Sequence, residues 1–262
     1  MTPINAAEGP GAAPKAWEQG ELANPHAVSD KAAKVRGMFG AIASSYDINN
    51  RVHSLWLDQS WRRSAVRTAN VRPGEHVLDV ACGTGDLTMA FARSAAAKVV
   101  GVDYTPQMLA VAEKKRPALE APINAKVTYE EGDAQSLRFP DQSFDVVSIA
   151  FGIRNVADPA KALSEFARVL RPGGRLVVLE FERPGSPPFS WFYDFYCGWV
   201  MPRTATLISS DKSGAYKYLP ASVGSFMGRD AMLGAIGRAG FSEVKARALT
   251  FGICICFSGT KR

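Results

Sequence analysis

Acidic and glycine-rich positions follow three successive apolar runs of this sequence, and their chemistry suits a nucleoside ligand. The first run leads into a glycine-rich turn, the second ends at Asp103, and the third is followed by Asp133. Glycines let the backbone approach a ligand closely, and an acid at the end of the second strand is placed to accept hydrogen bonds from ribose hydroxyls. Asp133 is placed to accept one from an adenine amino group. The residues assigned to this ligand are Asp79, Gly83, Thr84, Gly85, Asp103, Asp133, Ala134 and, at the end of a fourth run, Ala150.

The glycine-rich turn, Gly83-Thr84-Gly85, lacks the features of two common phosphate-binding loops. The dinucleotide pattern G-x-G-x-x-G needs a third glycine at position 88, which is Thr88, and the Walker pattern Gly-Lys-Ser/Thr is absent. The predicted ligand therefore carries ribose and adenine but no pyrophosphate. The alternative interpretation is a tight strand-to-helix turn with solvated acids.

A charge and an amide, Arg154 and Asn155, follow a run of apolar or small residues at 146–152. Burying an arginine without a partner is costly, so Arg154 is expected to face a partner group. The alternatives are a group bound at a functional site and a structural salt bridge to Asp158 or Glu180.

The scaffold for these residues is predicted from hydrophobic spacing. Helices are expected over 30–47 and about 52–70, and further helices begin at Pro106 and Pro159, each after a capping residue. Strands that alternate with helices predict an α/β fold with a doubly wound, mostly parallel sheet of seven strands and helices on both faces. The last two strands form a closing antiparallel hairpin. Ligands bind at the carboxyl ends of strands in such sheets.

Composition limits the class of protein and its partners. The chain has 262 residues, is 47% hydrophobic and carries a formal charge of +6, which leaves nucleic acid, an anionic membrane surface or no specific partner. Its four cysteines form no C-x-x-C pair and its three histidines are scattered, which predicts a reducing compartment and no metal site. No run approaches the ~18 apolar residues of a spanning helix, and no signal peptide is expected.

The domain boundary is predicted near residue 30. Residues 1–29 include fourteen Ala, Pro or Gly and are expected to form a disordered tail. Residues 30–262 are expected to form one domain, with N-terminal lid helices at 30–72 and an insert that covers the substrate at 182–228.

The glycine turn, Asp103 and Asp133 together resemble class I S-adenosylmethionine (SAM)-dependent methyltransferases. From about residue 33 onward the chain closely resembles the ubiquinone/menaquinone-biosynthesis C-methyltransferase family, in "FGAIASSYDINNRVHS", "VLDVACGTGD", "FPDQSFDVVSIAFGIRNVADPAKAL", "RVLRPGGRLVVLEFERP" and "YKYLPASV". The resemblance implies a Rossmann-like fold and SAM bound by Thr84, Asp103, Asp133 and Ala134. It also implies methylation of a ring carbon of a polyprenylated quinol, with demethylmenaquinol favoured. Whether the ring is a naphthoquinol or a benzoquinol stays open.

For that reaction, Arg154 is expected to stabilise the ionised ring hydroxyl, as an oxyanion hole does. Asn155 is expected to orient the quinol oxygen or a water. Arginine is effectively never deprotonated, so the base is expected to be a water, Tyr46, Asp47 or Asp211. Tyr46 and Asp47, predicted at the end of the first helix, are assigned to a lid over the active site; a simple helix-end turn is the alternative.

An aromatic segment, Phe189–Pro202, predicts contact with a polyprenyl tail or a membrane surface. A second small core on the N-terminal helices is the alternative. Attraction to anionic lipid is assigned to five arginines, Arg51, Arg62, Arg63, Arg67 and Arg72. The sequence thus predicts a cytoplasmic protein that contacts the inner face of the membrane peripherally. Nucleic acid is not expected as a partner, and a homo-oligomer is left open.

Other functions were weighed against this interpretation. Another small-molecule C- or O-methyltransferase is the main alternative. An RNA methyltransferase also fits the basic charge, but its usual Pro-Pro motif is absent where this chain has "AFGIRN" and no RNA-binding module is appended. A non-catalytic cofactor-binding protein is the third alternative.

Overall fold

The computed structural model describes residues 17–201, 203–204 and 214–262. Within these residues, one sheet is built from β1 (His76–Val80), β2 (Lys98–Asp103), β3 (Val127–Glu131), β4 (Phe144–Ala150), β5 (Leu170–Phe181), β6 (Phe241–Leu249) and β7 (Cys254–Lys261). The helices are α1 (Lys31–Ile42), α2 (Tyr46–Ser54), α3 (Leu57–Ala69), α4 (Asp86–Ala92), α5 (Pro106–Lys115), α6 (Ala121–Asn124), α7 (Pro159–Val169), α8 (Phe189–Phe195), α9 (Ala215–Ser225) and α10 (Arg229–Arg238).

The strand order is β3-β2-β1-β4-β5-β7-β6. Strands β1 to β5 are parallel, while β7 runs antiparallel between β5 and β6. The predicted α/β sheet with its closing hairpin is therefore confirmed. Because β1, β2 and β4 are parallel neighbours, the turns after their carboxyl ends meet at one edge of the sheet, where ligands bind in such folds.

Two apolar layers hold the sheet between its helices. On one face, Leu163 and Phe166 of α7 and Ile236 of α10 pack against the strands. On the other face, Trp61 of α3 and Phe91 of α4 do so. All five side chains are buried, so the strand ends that carry the site rest on a close-packed core.

The N-terminal helices differ from the prediction of one helix over 52–70. The chain instead forms α2 and α3, separated at Leu55 and Trp56, whose φ values are 51° and 61°. The left-handed backbone ends α2, with the Leu55 and Trp56 amides donating to carbonyls of the preceding turn. Tyr46 and Asp47, predicted at the end of the first helix, therefore begin α2.

Residues 17–29, predicted as part of a disordered tail, are packed on the domain in this structure. Trp17 is 7% exposed and its ring stacks on that of Tyr218, with the centroids 4.6 Å apart. Two short 3₁₀ turns, Glu21–Ala23 and Pro25–Ala27, then lead to α1. Glu21 pairs with Lys34, and His26 bonds the carbonyl of Ser222 at 2.9 Å. These contacts join residues far apart in sequence, so composition alone does not predict them. Residues 1–16 lie outside the described residues.

The insert at 182–228 brings aromatic side chains over the carboxyl edge of the sheet. Helix α8 continues into one π-helical turn, Tyr196–Val200, and α9 returns the chain to α1. Residue 202 and residues 205–213 lie outside the described residues, and with them the candidate base Asp211.

Candidate active site

The turn after β1 holds a backbone that non-glycine residues rarely adopt. Gly83 and Gly85 have φ values of 56° and 82°. A Cβ at Gly85 would also overlap the hydroxyl of Tyr129, so glycine is required there both by conformation and by space. This turn brings bare backbone to the carboxyl edge of the sheet.

Asp103 lies at the centre of this edge. Its Oδ2 accepts the amide proton of Gly83 and its Oδ1 that of Thr105, each at 2.8 Å. Burial raises the pKa of this carboxyl above its usual range, while the backbone amides act in the opposite direction. The two hydrogen bonds fix the orientation of the carboxylate and leave lone pairs on both oxygens for a ligand.

A cavity of about 110 Å³ opens beside Asp103. Five of the predicted ligand residues line it, namely Gly83, Asp103, Asp133, Ala134 and Ala150. Gln135 donates its backbone and side-chain amide protons to Asp133 at 2.9 and 3.1 Å, which orients that carboxylate. One acid beside bare glycine backbone and a second acid next to an alanine fit a ligand with a ribose and an adenine.

Three predicted ligand residues lie outside the lining of this cavity: Asp79, Thr84 and Gly85. Asp79 is 1% exposed and accepts the hydroxyl protons of Thr88 at 2.7 Å and Ser148 at 2.8 Å. Burial raises its pKa to about 6, and the two hydroxyls oppose that rise. Asp79 therefore joins β1 to α4 and β4 beneath the turn, which is a packing role.

Helix α2 is fastened over the turn by a network of charges. Lys115 donates to Asp47 at 2.6 Å and to Asp86 at 2.5 Å, and the Thr84 hydroxyl donates to Asp47 at 2.6 Å. Arg51 pairs with Asp86 at 2.5 Å as well. Asp47 thus holds α2 to the turn through Thr84, and lines neither cavity described here.

A larger cavity of about 280 Å³ lies between α1, α2, the aromatic insert and α9. It shares three lining residues with the smaller cavity, namely Phe39, Tyr46 and Phe151. The rest of its wall is mostly apolar or aromatic, and includes Trp61, Phe181, Phe192, Tyr193, Tyr196 and Tyr216. The two cavities are therefore adjacent, and Phe39, Tyr46 and Phe151 lie between them.

Arg154 lines the larger cavity and Asn155 the smaller one. The Nη1 of Arg154 donates to Glu180 and to the carbonyl of Phe151, each at 2.7 Å, and Nε donates to Ser222 at 3.3 Å. The salt bridge to Glu180 that sequence analysis had kept as the alternative is therefore present. It also leaves the guanidinium in the cavity wall, so the two interpretations are compatible.

Two residues that support this region, Lys31 and Tyr218, are not among the predicted site residues, and Glu180 is predicted only as a possible partner of Arg154. Glu180 is 2% exposed at the end of β5, and a lone acid in the apolar run "RLVVLEF" was the available signal. Lys31 donates to the carbonyls of Arg154 and Val156, each at 2.8 Å, and burial lowers its pKa to about 8. Tyr218 donates to the side chain of Asn155 at 2.9 Å. Contacts so distant in sequence leave no local pattern.

Solved structures with the same fold include SAM-dependent methyltransferases. A protein of that description from Thermotoga maritima matches with a TM-score of 0.60 and 19% identity, covering 87% of this chain and 100% of that one. A second, from Aquifex aeolicus, matches with a TM-score of 0.55 and 16% identity, covering 77% and 89%. At these identities the likeness concerns the fold.

Curated relatives are much more similar in sequence. A demethylmenaquinone methyltransferase from Thermus thermophilus is 45% identical, covering 86% of this chain and 100% of the relative, and one from Deinococcus radiodurans is 44% identical, covering 89% and 95%. A ubiquinone/menaquinone biosynthesis C-methyltransferase from a Geobacter species is 40% identical, covering 90% and 100%. The model of the ubiE/COQ5 methyltransferase family matches residues 27–261. With nearly the whole chain matched, this protein belongs to the ubiE/COQ5 methyltransferase family.

Proposed function

We propose that this protein methylates a ring carbon of a polyprenylated quinol with SAM as the methyl donor, and that demethylmenaquinol is the favoured substrate. The observation that carries the proposal is the meeting of the two cavities at Phe39, Tyr46 and Phe151. One cavity suits a nucleoside and the other an apolar ring with a tail. Demethylmenaquinol is favoured because the relatives named for it are 44% and 45% identical.

The smaller cavity is proposed to hold the cofactor. Asp103 binds the ribose hydroxyls with the lone pairs that its two backbone hydrogen bonds leave free. Asp133 and Ala134 bind the adenine, and Gly83 and Ala150 provide close backbone contact. When bound, SAM supplies an electrophilic methyl group on a sulfonium. Methyl transfer needs the ring carbon held at roughly 3–3.5 Å in line with that group.

Arg154 is proposed to favour the ionised ring hydroxyl, because carbon is a weak nucleophile until the neighbouring oxygen carries negative charge. Its Nε and Nη1 bonds hold the guanidinium in the cavity wall, and Nη2 is the atom that we assign to the quinol oxygen. Asn155, fixed by Tyr218, orients a substrate oxygen or a water from the side of the cofactor.

Tyr46 is proposed as a hydrogen-bond donor at the meeting point and not as the base. Burial raises the pKa of its hydroxyl above the ordinary value, so it is protonated at neutral pH and suits an oxygen that gains negative charge. Asp47 is proposed to latch the lid helix through Thr84 and Lys115. A water is then the proton acceptor that we favour.

Turnover with purified substrates tests the function. We expect the protein with SAM to add one methyl mass to a chemically reduced demethylated naphthoquinol, more slowly to a benzoquinol with the same prenyl tail, and not to RNA. Mass spectrometry of the extracted products measures all three. A protein that binds SAM but methylates neither quinol contradicts the proposal and favours another small-molecule methyltransferase.

We further propose a peripheral contact with the membrane at the mouth of the larger cavity. Among the described residues, no helix is long and apolar enough to cross a membrane. Apart from Tyr104, the exposed large apolar side chains of the described residues lie in three places. The first is α2 and the start of α3, with Ile48, Val52, Leu55, Trp56 and Leu57. The others are the aromatic segment, with Phe189, Trp191, Phe192, Phe195 and Trp199, and the single residue Phe251. Leu55, Leu57 and Phe192 also line the cavity, so part of this apolar surface borders it.

Two of the five arginines predicted to attract anionic lipid are paired within the protein. Arg51 and Arg62 pair with Asp58 inside the protein, so they are not available to lipid headgroups. Arg63, Arg67 and Arg72 are exposed and keep that proposed role, at up to ~1 kcal/mol each.

Flotation with liposomes tests the membrane contact. Wild type is expected to float with anionic liposomes at low salt, because lipid attracts the arginines and accommodates the aromatic rings. A Trp191→Ala/Trp199→Ala variant is expected to remain with the soluble fraction. An Arg63→Gln/Arg67→Gln variant is expected to float equally well with anionic and with zwitterionic liposomes, because it has lost only the attraction to negative charge. Wild type that stays soluble at low salt contradicts the membrane contact. Full activity of the tryptophan variant on a long-tailed quinol assigns the segment to packing alone.

A further inference from the structure

Two polar atoms in the wall of the larger cavity are buried without a hydrogen-bond partner among the described residues. They are Oδ1 of Asn49 and Nε2 of His53. Both side chains line the cavity, and both belong to α2, four residues apart. Residues at this spacing are neighbours on one helix face. An unpaired buried polar atom is unfavourable and calls for an explanation, and a ligand in the cavity supplies one.

The neighbours of these atoms make both of them acceptors. The amide nitrogen of Asn49 donates to the carbonyl of Ser45 at 3.2 Å, so the side-chain oxygen is the free atom. The hydroxyl of Tyr196 donates its proton to the carbonyl of His53 at 3.1 Å. The same hydroxyl oxygen lies 3.4 Å from Nδ1 of His53. Because its proton is used by the carbonyl, we assign the ring proton to Nδ1, from which that oxygen accepts. Nε2 is left with its lone pair.

The partner of two acceptors must be a donor. Burial lowers the pKa of His53 below its ordinary value, so the imidazole is neutral and keeps its acceptor at neutral pH. Asp58 and Glu180 already pair with Arg62 and Arg154 of this cavity, so a cationic donor would be buried without a counter-charge, which is costly. The remaining donor that fits an apolar, aromatic-lined cavity is a neutral hydroxyl.

The position on α2 indicates which part of the ligand is bound. Tyr46 marks the meeting point of the cavities, and Asn49 and His53 follow one and two turns later, about 5 and 10 Å along the helix axis. A ring whose reactive carbon lies against Tyr46 therefore directs its more distant oxygen towards these two side chains.

We propose that Asn49 and His53 bind a hydroxyl of the reduced ring, distant from the carbon that is methylated, and so make the cavity prefer a quinol over the corresponding quinone. This inference rests on the proposed function. A quinol hydroxyl carries one proton, which it donates to one of these two acceptors or shares between them. A quinone oxygen is an acceptor only and leaves both protein atoms unsatisfied, which lowers affinity about 10- to 100-fold. Two residues of α2, Asn49 and His53, then determine the preference for the reduced ring, and they contact the side of the ring away from Arg154.

Binding of two matched probes tests this proposal. The probes are a short-tailed demethylated naphthohydroquinone and the same ring with both hydroxyls converted to methyl ethers, and calorimetry is done in the presence of S-adenosylhomocysteine. Wild type is expected to bind the hydroquinone at least about 10-fold more tightly. His53→Phe and Asn49→Leu, which keep the side-chain volume close to that of wild type, are expected to reduce this preference about 10-fold while binding the ether as before. Any preference that remains belongs to the hydroxyl proposed to face Arg154. His76→Phe, a histidine outside both cavities, is the matched control.

The outcomes separate this proposal from the proposed function. An unchanged affinity for S-adenosylhomocysteine shows that a variant is folded, and if Asn49→Leu fails that criterion, His53→Phe alone decides. A His53→Phe variant that keeps the full preference for the hydroquinone overturns the role of the pair, although wild type still methylates the quinol. A wild-type protein that binds neither probe overturns both the pair and the quinol substrate.

Discussion

Replacing Arg154 with alanine is expected to lower the free energy of unfolding by about 3–5 kcal/mol. Arg154 and Glu180 form a buried pair at 2.7 Å, with side chains that are 5% and 3% exposed. Removing the guanidinium leaves the Glu180 carboxylate buried without its counter-charge, which costs far more than the net energy of the pair. Denaturant unfolding of wild type and variant measures the difference.

A double variant separates this structural role from catalysis. Arg154→Met/Glu180→Met removes both charges, and its stability is expected to recover most of the loss, because apolar replacements of a buried pair are often neutral. If Arg154 also stabilises the ionised quinol, this folded variant should retain its affinity for the cofactor while kcat falls roughly 10²- to 10³-fold. Arg154→Lys should restore little activity, since an ammonium does not reproduce the planar fork. Wild-type stability of Arg154→Ala would contradict the buried-pair account.

Replacing Asp103 with alanine is expected to weaken cofactor binding by about 2–4 kcal/mol, or roughly 30- to 700-fold. The carboxylate is oriented by the amides of Gly83 and Thr105, and it is proposed to receive both ribose hydroxyls. Its loss leaves these hydroxyls unpaired in a buried site. Calorimetric titration with S-adenosylhomocysteine measures the affinity.

Two further variants help to interpret that titration. Asp103→Asn keeps one acceptor oxygen and is expected to bind with intermediate affinity. Asp133→Ala, which changes the adenine end of the same cavity, is expected to weaken binding less, because one neutral donor is lost instead of two bonds to a charged acceptor. Unfolding curves compare the free energy of unfolding of each variant with that of wild type. Unchanged affinity of Asp103→Ala would remove the ribose assignment.

The fold was predictable from the sequence where local pattern and tertiary packing agree. Strands β1, β2 and β4 are mostly apolar runs followed by turn residues, and the alternation of strands with helices predicts a parallel sheet. Asp103 and Asp133 were assigned to the ligand because strand ends converge at one edge, and both line the cavity. These inferences needed only the period of the pattern and the topology that it implies.

The remaining features depend on contacts between distant parts of the chain. Asp79 was assigned to the ligand, but the hydroxyls of Thr88 and Ser148 hold it beneath the turn. The break between α2 and α3 occurs at Leu55 and Trp56, residues that no local rule marks as left-handed. Likewise, no pattern in the sequence indicates that Trp17 stacks on Tyr218.

The state of the thiols bears on the chemical hazard of a quinone substrate. A quinol that loses two electrons becomes an electrophile, and thiolates add to its ring to form a C–S bond. Cys197 lines the larger cavity, and burial raises its pKa to about 11. Burial likewise raises the pKa of the thiols of Cys82, Cys254 and Cys256. Because the thiolate is the reactive form, the raised pKa slows addition of Cys197 to such a ring at neutral pH.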